Sequence, residues 1–151
     1  MAETQITTIF IGTDHAGFEL KEAIKAHLES SEYEVEDLGA HWFDADDDYP
    51  DFIRPVAEAV AKDTSSRGII MGGSGQGEAI CANRVKGIRA AVFYGGPDDI
   101  VKLSRQHNDA NILSFGARFI SEEQAMKVMD LWLSIPFEGD RHQRRIDKLD
   151  E

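Results

Sequence analysis

The chain is poor in cysteine, in long apolar runs and, over its first half, in positive charge. A single thiol, Cys81, rules out an internal disulfide and suits a reducing compartment. No segment approaches the roughly 20 apolar residues of a membrane span. Met1 to Thr8 has neither a basic residue nor an apolar core, so it does not read as a secretory leader, and a cytoplasmic location is expected. With 16 Lys+Arg against 28 Asp+Glu the net charge is −12, which argues against nucleic acid and anionic membrane as partners, since both need a basic face. The shortage is uneven: residues 1–75 hold 5 basic and 16 acidic side chains, residues 76–151 hold 11 and 12. An anion site is therefore expected to draw on the second half. No internal repeat, linker or low-complexity segment is visible.

What is present is one domain's worth of chain: 151 residues, 42% hydrophobic, read as a single domain over 1–151. Apolar, β-branched strands alternate with amphipathic helices. Strands are predicted at Ile6 to Gly12, Glu34 to Leu38, Gly68 to Met71, Ala90 to Tyr94 and Asn111 to Phe115. Helices are predicted around Leu20 to Leu28, from Pro50-Asp51 to Ala61, over Gly77 to Asn83 and Asp98 to Gln106, after a Ser121/Gln124 cap, and from Asp140 to Leu149. Five strands separated by helices imply an α/β fold with a parallel sheet, whose strand order cannot be read from the sequence. Ligands of such sheets bind beyond the C-terminal strand ends. That selects the loops at Thr13-Asp14-His15, at Gly72 to Gly77, and at Gly116-Ala117-Arg118.

The glycine-rich loop, Met71-Gly72-Gly73-Ser74-Gly75-Gln76-Gly77-Glu78, is the strongest local signal. It is no dinucleotide fingerprint, because Glu78 replaces the last glycine. It is no nucleophile elbow, because Gln76 stands where glycine is required, and no Walker loop, for want of Gly-Lys-Ser/Thr. Two readings stand: a turn needing positive φ, or an anion cradle with a base beside it. Glu78 falls in the first helical turn, as a base or as a charge favoured by the helix dipole.

Other candidates carry a plain reading beside a functional one. Asp14-His15 is a solvated pair or a proton-transfer and anion site. His107-Asn108 caps a helix or does chemistry. Arg118 is a surface group or an anion ligand. Arg141, His142, Arg144 and Arg145 form the densest basic cluster, and Arg141 with Arg145 share a helical face: a solvated face or a phosphate clamp. Asp44 to Asp48 fails the calcium-loop pattern and reads as a solvated acidic loop. No Cys/His spacing supports zinc. Cys81, inside a helix, reads as a small buried side chain.

Taken together, Gly12-Thr13-Asp14-His15-Ala16-Gly17, Asp48-Tyr49-Pro50, Gly73-Ser74-Gly75-Gln76-Gly77, Ala82-Asn83, Arg105-Gln106-His107-Asn108-Asp109-Ala110-Asn111 and Gly116-Ala117-Arg118 resemble the type B ribose-5-phosphate isomerases of the RpiB/LacAB sugar-phosphate isomerase family. The resemblance spans nearly the whole chain. It implies a Rossmann-like three-layer α/β/α sandwich and a homodimer, in some members a tetramer, with active sites shared between subunits. It also implies no metal and no organic cofactor. Many members carry a cysteine base just before Gly-Ser/Thr-Gly, where this chain has Gly72. The chain instead resembles the branch, common in actinobacterial enzymes, in which a glutamate is the base, here Glu78.

The resemblance then implies roles. His107 opens the sugar ring, assisted by Asp14. Glu78 moves a proton between C2 and C1 through a cis-enediolate, which Ser74 and the backbone of Gly73, Gly75 and Gly77 hold. His15, Arg118, Arg141 and Arg145 bind phosphate, Asn108 binds a hydroxyl or the enediolate, and Tyr49 lines the pocket. The rivals are an isomerase of another phosphosugar (a tetrose 4-phosphate, or a hexose 6-phosphate such as allose or galactose 6-phosphate), a non-catalytic phosphosugar-binding protein, and a flavodoxin-like carrier, which lacks its flavin loops.

Overall fold

The computed structural model describes residues 5–151. The reading of Met1 to Thr8 as no leader falls partly on residues 1–4, outside the described range. In chain order the elements are β1 (Thr8–Thr13), a 3-10 turn (His15–Gly17), α1 (Phe18–Glu29), β2 (Glu34–Asp37), α2 (Pro50–Lys62), β3 (Ser66–Gly72), α3 (Gln76–Asn83), β4 (Ala90–Phe93), α4 (Asp98–Gln106), β5 (Ile112–Gly116), α5 (Glu122–Ser134) and α6 (Arg141–Ile146). The five strands form one all-parallel sheet in the order β2-β1-β3-β5-β4.

The strands sort their side chains by parity. Ile9 and Ile11 of β1, Ile69 and Met71 of β3, and Leu113 and Phe115 of β5 face one way. There they bury Leu20, Ile24 and Leu28 of α1, Val101 of α4, and Val128, Met129 and Trp132 of α5. Phe10, Ile70 and Ile112 face the other way, against Ile53, Val56, Ala57 and Val60 of α2 and Cys81 and Ala82 of α3. Helices thus cover both faces, the three-layer sandwich that the family resemblance implied. Strands buried on both sides read as unbroken apolar runs, which is why β1, β3 and β5 are so plain in the sequence. Each fully buried Ile, Leu or Phe contributes about 1.5–3 kcal/mol of transfer free energy.

Two helix ends behave as their residues dictate. Pro50 opens α2, and the Ser121 hydroxyl accepts the Gln124 N–H at 3.1 Å to open α5. The last helix is shorter than the Asp140 to Leu149 expected. Only His142 of α6 is buried, and past Ile146 the backbone closes into tight turns, Lys148 N–H to Arg145 and Leu149 N–H to Ile146. A helix with so little apolar face has nothing to extend it. No helix among the described residues is long and apolar enough to cross a membrane.

The topology makes β1, β3 and β5 neighbours at the centre of the sheet. The three selected loops therefore share one edge, called upper here. Residues that precede a strand lie at the opposite, lower edge, about 16 Å away across the five residues of β5.

Candidate active site

The upper edge is stitched together by its own backbone. Ala117 and Arg118 N–H groups donate to the Gly72 and Gly73 carbonyls at 2.8 and 3.1 Å, tying the loop after β5 to the glycine loop. The Thr13 hydroxyl donates to the Met71 carbonyl at 3.0 Å, tying in β1. The Ser114 hydroxyl donates to the Gly75 carbonyl at 2.6 Å. Gly75 has φ +78, and a Cβ there would meet the backbone of Phe115 and Gly116 at 2.9–3.0 Å, so only glycine turns the chain into α3.

Glu78 then points its carboxyl back over the end of β3, as a first-turn side chain does. It is 4% exposed. A Cβ on Gly72 would overlap its carboxyl atoms, so the absence of a side chain at Gly72 makes the room that Glu78 occupies. Burial pushes the Glu78 pKa up, and the nearby Asp14 charge pushes the same way, against the N–H groups of Glu78 and Gly75. A carboxylate tuned upward suits proton transfer near neutral pH.

The other upper residues gather round it. Asp14, buried, accepts the Ala16 N–H at 2.9 Å; burial raises its pKa, and its charge acts on both Glu78 and His15. The Tyr49 ring lies against Gly77, and the Arg118 guanidinium against Gly73, where a Cβ would meet them at 2.9 and 3.1 Å. Ser74 is half-buried, its Oγ accepting the Gln76 N–H at 3.3 Å. The His15 ring lies within the influence of the Asp14 and Arg118 charges. Asp14, His15, Tyr49, Gly73, Ser74, Gly75, Gly77, Glu78 and Arg118 thus share one edge.

His107, Asn108, Arg141 and Arg145 do not join them. His107 is the C-cap of α4 and stands just before β5, at the lower edge. Its ring stacks on His142, centroids 4.2 Å apart and planes 14° apart, and its Nε2 lies 3.7 Å from Glu138. The Glu138 N–H donates to the Gln106 carbonyl at 3.0 Å, carrying α6 to the same place. Asn108, Arg141 and Arg145 are exposed. His142 is buried; burial lowers its pKa, and Arg141, His107 and Arg145 add to that.

Among the described residues, two groups could offer a metal three ligand atoms within 4.8 Å: His107, Glu138 and His142, and Asp14, His15 and Asp47. In the first the imidazoles lie flat on one another, so their in-plane lone pairs run side by side. In the second, His15 Nδ1 is taken up at 2.7 Å by Asp47.

The family model for ribose/galactose isomerases matches residues 9–149. The chain belongs to that family. It is 44% identical to the ribose-5-phosphate isomerase B of Mycolicibacterium paratuberculosis over 144 residues, 95% of this chain and 89% of the relative. It is 44% identical to the probable ribose-5-phosphate isomerase B of Mycoplasma genitalium over 142 residues, 93% and 92% of the two chains. The crystal structure of the Mycoplasma genitalium enzyme, with bound ribulose 5-phosphate, superposes with a TM-score of 0.91 at 43% identity, covering 96% of this chain and 95% of that one.

Within a ribose/galactose isomerase fold, three features here had no individual signal in the sequence. Asp47, which holds His15, sits in an acidic run where nothing marks it from Asp44, Asp46 or Asp48. His142, on which His107 stacks, was read only as part of a basic cluster. The room made at Gly72 depends on a carboxyl six residues later, a contact visible only in three dimensions. Cys81, 7% exposed in the α3 layer, is the small buried side chain expected.

Proposed function

We propose that this chain interconverts ribose 5-phosphate and ribulose 5-phosphate through a cis-enediolate, with Glu78 as the base. The observation that carries the reading is the Glu78 carboxyl, buried over Gly72 beside the glycine loop with its pKa raised. Family membership supports isomerase chemistry, and the relatives' substrate supports a pentose phosphate.

In this reading the open-chain aldose lies along the upper edge. Glu78 takes the C2 proton, and the electron pair left behind makes the C1–C2 double bond, with charge on O1. Backbone N–H groups at Gly73 to Gly75, with Ser74, stabilise that oxygen; such donors are each worth about 3–4 kcal/mol. The O2 hydrogen passes to O1 and Glu78 returns its proton to C1, leaving a carbonyl at C2. One base serves both carbons because burial keeps its proton from exchanging with water between steps. Tyr49 lines the pocket, and His15 and Arg118 take the phosphate.

His107, Asn108, Arg141 and Arg145 complete the site of a second copy of the chain. They lie too far from Glu78 to act on the same substrate within one protomer, and they are exposed or half-buried rather than packed away. His107 opens the sugar ring with the help of Asp14 across that junction, Asn108 binds a hydroxyl or the enediolate, and the two arginines close on the phosphate. The working unit is then a homodimer or a larger assembly of such pairs.

The test is a coupled isomerase assay on EDTA-treated protein exposed to a thiol blocker. It compares ribose 5-phosphate with erythrose 4-phosphate, allose 6-phosphate and galactose 6-phosphate. Turnover of ribose 5-phosphate that survives both treatments is expected. Activity confined to another sugar keeps the mechanism and moves the substrate; no activity on any of them overturns the reading.

A further inference from the structure

The acidic loop before α2 has no part in the chemistry above, and one of its carboxylates is unlike the others. Asp44, Asp46 and Asp48 are exposed, whereas the Asp47 side chain is 8% exposed. Its Oδ1 accepts the His15 backbone N–H at 3.0 Å and lies 2.7 Å from His15 Nδ1. Its Oδ2 is buried without a hydrogen-bond partner among the described residues. Of the ion pairs among those residues, its only one is with His15. The His15 ring is further fixed by the edge of Phe43, centroids 6.2 Å apart.

We propose that Asp47 is a positioning residue that fixes the orientation and tautomer of His15 and sets a carboxylate against its ring, so that Nε2–H meets the substrate phosphate as a donor. The inference rests on the reading of this edge as a phosphosugar site and deepens it. With Nδ1–H directed at Asp47, only Nε2 remains to face a ligand. A phosphate monoester loses its second proton near pH 6, and an ordinary imidazole loses its charge at about 6.5. An unaided His15 would therefore turn neutral as its ligand becomes a dianion. The charged groups facing the ring come from three loops: Asp14 from its own, Asp47 from the loop before α2, and Arg118 from the loop after β5. The Asp47 hydrogen bond is the largest influence and raises the His15 pKa; desolvation opposes it, the Asp14 and Asp47 charges add to it, and Arg118 subtracts. The result widens the pH range in which imidazolium and phosphate dianion coexist.

Asp47→Asn keeps the shape and can still accept the His15 N–H, but it carries no charge. The His15 imidazole is first titrated by NMR in substrate-free protein. Its pKa is expected to fall in the variant, since the Asp47 carboxylate is the main influence holding it up. KM for ribose 5-phosphate is then followed from about pH 6 to about pH 8. It is expected to match wild type at the acid end and to exceed it roughly tenfold at the alkaline end, with kcat within about twofold. Asp48→Asn, at an exposed neighbour, is the control. An unchanged His15 pKa, or a KM penalty equal at every pH, overturns the proposal and leaves Asp47 as a tie between two loops. Should the variant fail to fold, wild type alone decides: inorganic phosphate binding must weaken above a raised His15 pKa, and a break at the ordinary imidazole value overturns the proposal. Wild type that turns over no sugar phosphate overturns the isomerase reading, while the titration and phosphate binding still judge Asp47.

Discussion

The two edges of the sheet differ in how finished they are. The upper edge is closed on itself: three neighbouring strands, cross-loop hydrogen bonds of 2.6–3.1 Å, and a Glu78 carboxyl only 4% exposed. The lower edge offers an exposed asparagine, two exposed arginines and a half-buried histidine. It is also where non-glycine residues with positive φ occur, Asp109 at 46° beside Asn108 and Asp140 at 51° before Arg141. Such backbone costs energy, more at Asp140 (ψ −128°) than at Asp109, since Asp is among the residues that tolerate the left-handed region. On the proposed reading, the contrast divides the catalytic machinery, with Glu78 at one end of the sheet and His107, Asn108, Arg141 and Arg145 at the other.

The sharpest attack on that division is at the base. Glu78→Gln is expected to lower kcat by roughly a hundred- to ten-thousand-fold in the coupled assay, with binding retained; near-normal kcat would remove Glu78 from the chemistry. The same variant carries a stability signature. Burial raises the Glu78 pKa, so the folded chain holds that proton more tightly than the unfolded chain. That contribution to stability is present below the ordinary glutamate range and is lost as pH rises through the raised value. Glu78→Gln escapes the loss, so its Tm should match wild type in acid and exceed it at neutral pH.

Mixing tests the geometry directly. Glu78→Gln and His107→Ala homodimers should both be poor enzymes. Random re-pairing in equal amounts should restore about a quarter of the sites, since half the dimers are mixed and each holds one intact site of two. Absence of any recovery, with exchange verified by mass spectrometry, places both residues in one protomer's site. Gly72→Ala should come next. Its methyl group displaces the Glu78 carboxyl, and a shift of about 1 Å can cost a hundredfold in kcat with the fold intact by circular dichroism. At the lower edge, Arg145→Lys keeps the charge but loses the fork, and KM should rise roughly tenfold. Cys81→Ser should leave kcat within about twofold, because the thiol is packing between α3 and α2; a large loss in a well-folded variant would reopen the thiol as a catalytic group.

The upper edge was legible in the sequence because its signals are local. An apolar strand ending in glycine places a loop at a C-terminal strand end, and Asp14, Gly73 to Gly77 and Arg118 all follow such strands. The lower edge was legible only in part. His107 precedes a strand, so the alternation alone puts it opposite Glu78, yet nothing in the spacing says what it faces. The order β2-β1-β3-β5-β4 was not readable, since parallel crossovers of similar length can return on either side. Asp47 was hidden by equals: five residues hold four aspartates, and burial, not identity, separates them. The end of α6 was overrun because polar periodicity continues past the point where any apolar contact remains.

The overlap at Gly72 has a consequence for how such a site can change over generations. A side chain at position 72 and a carboxyl at position 78 compete for a single volume, so they are alternative tenants rather than partners. A thiol introduced at 72 would displace the Glu78 carboxyl from the volume it occupies. Any lineage that passes between a strand-borne base and a helix-borne one must cross a stage at which the pocket holds two bases badly placed or none at all. Exchange of the two chemistries is then a paired event, and Gly72→Cys should recover function only in company with a smaller residue at 78.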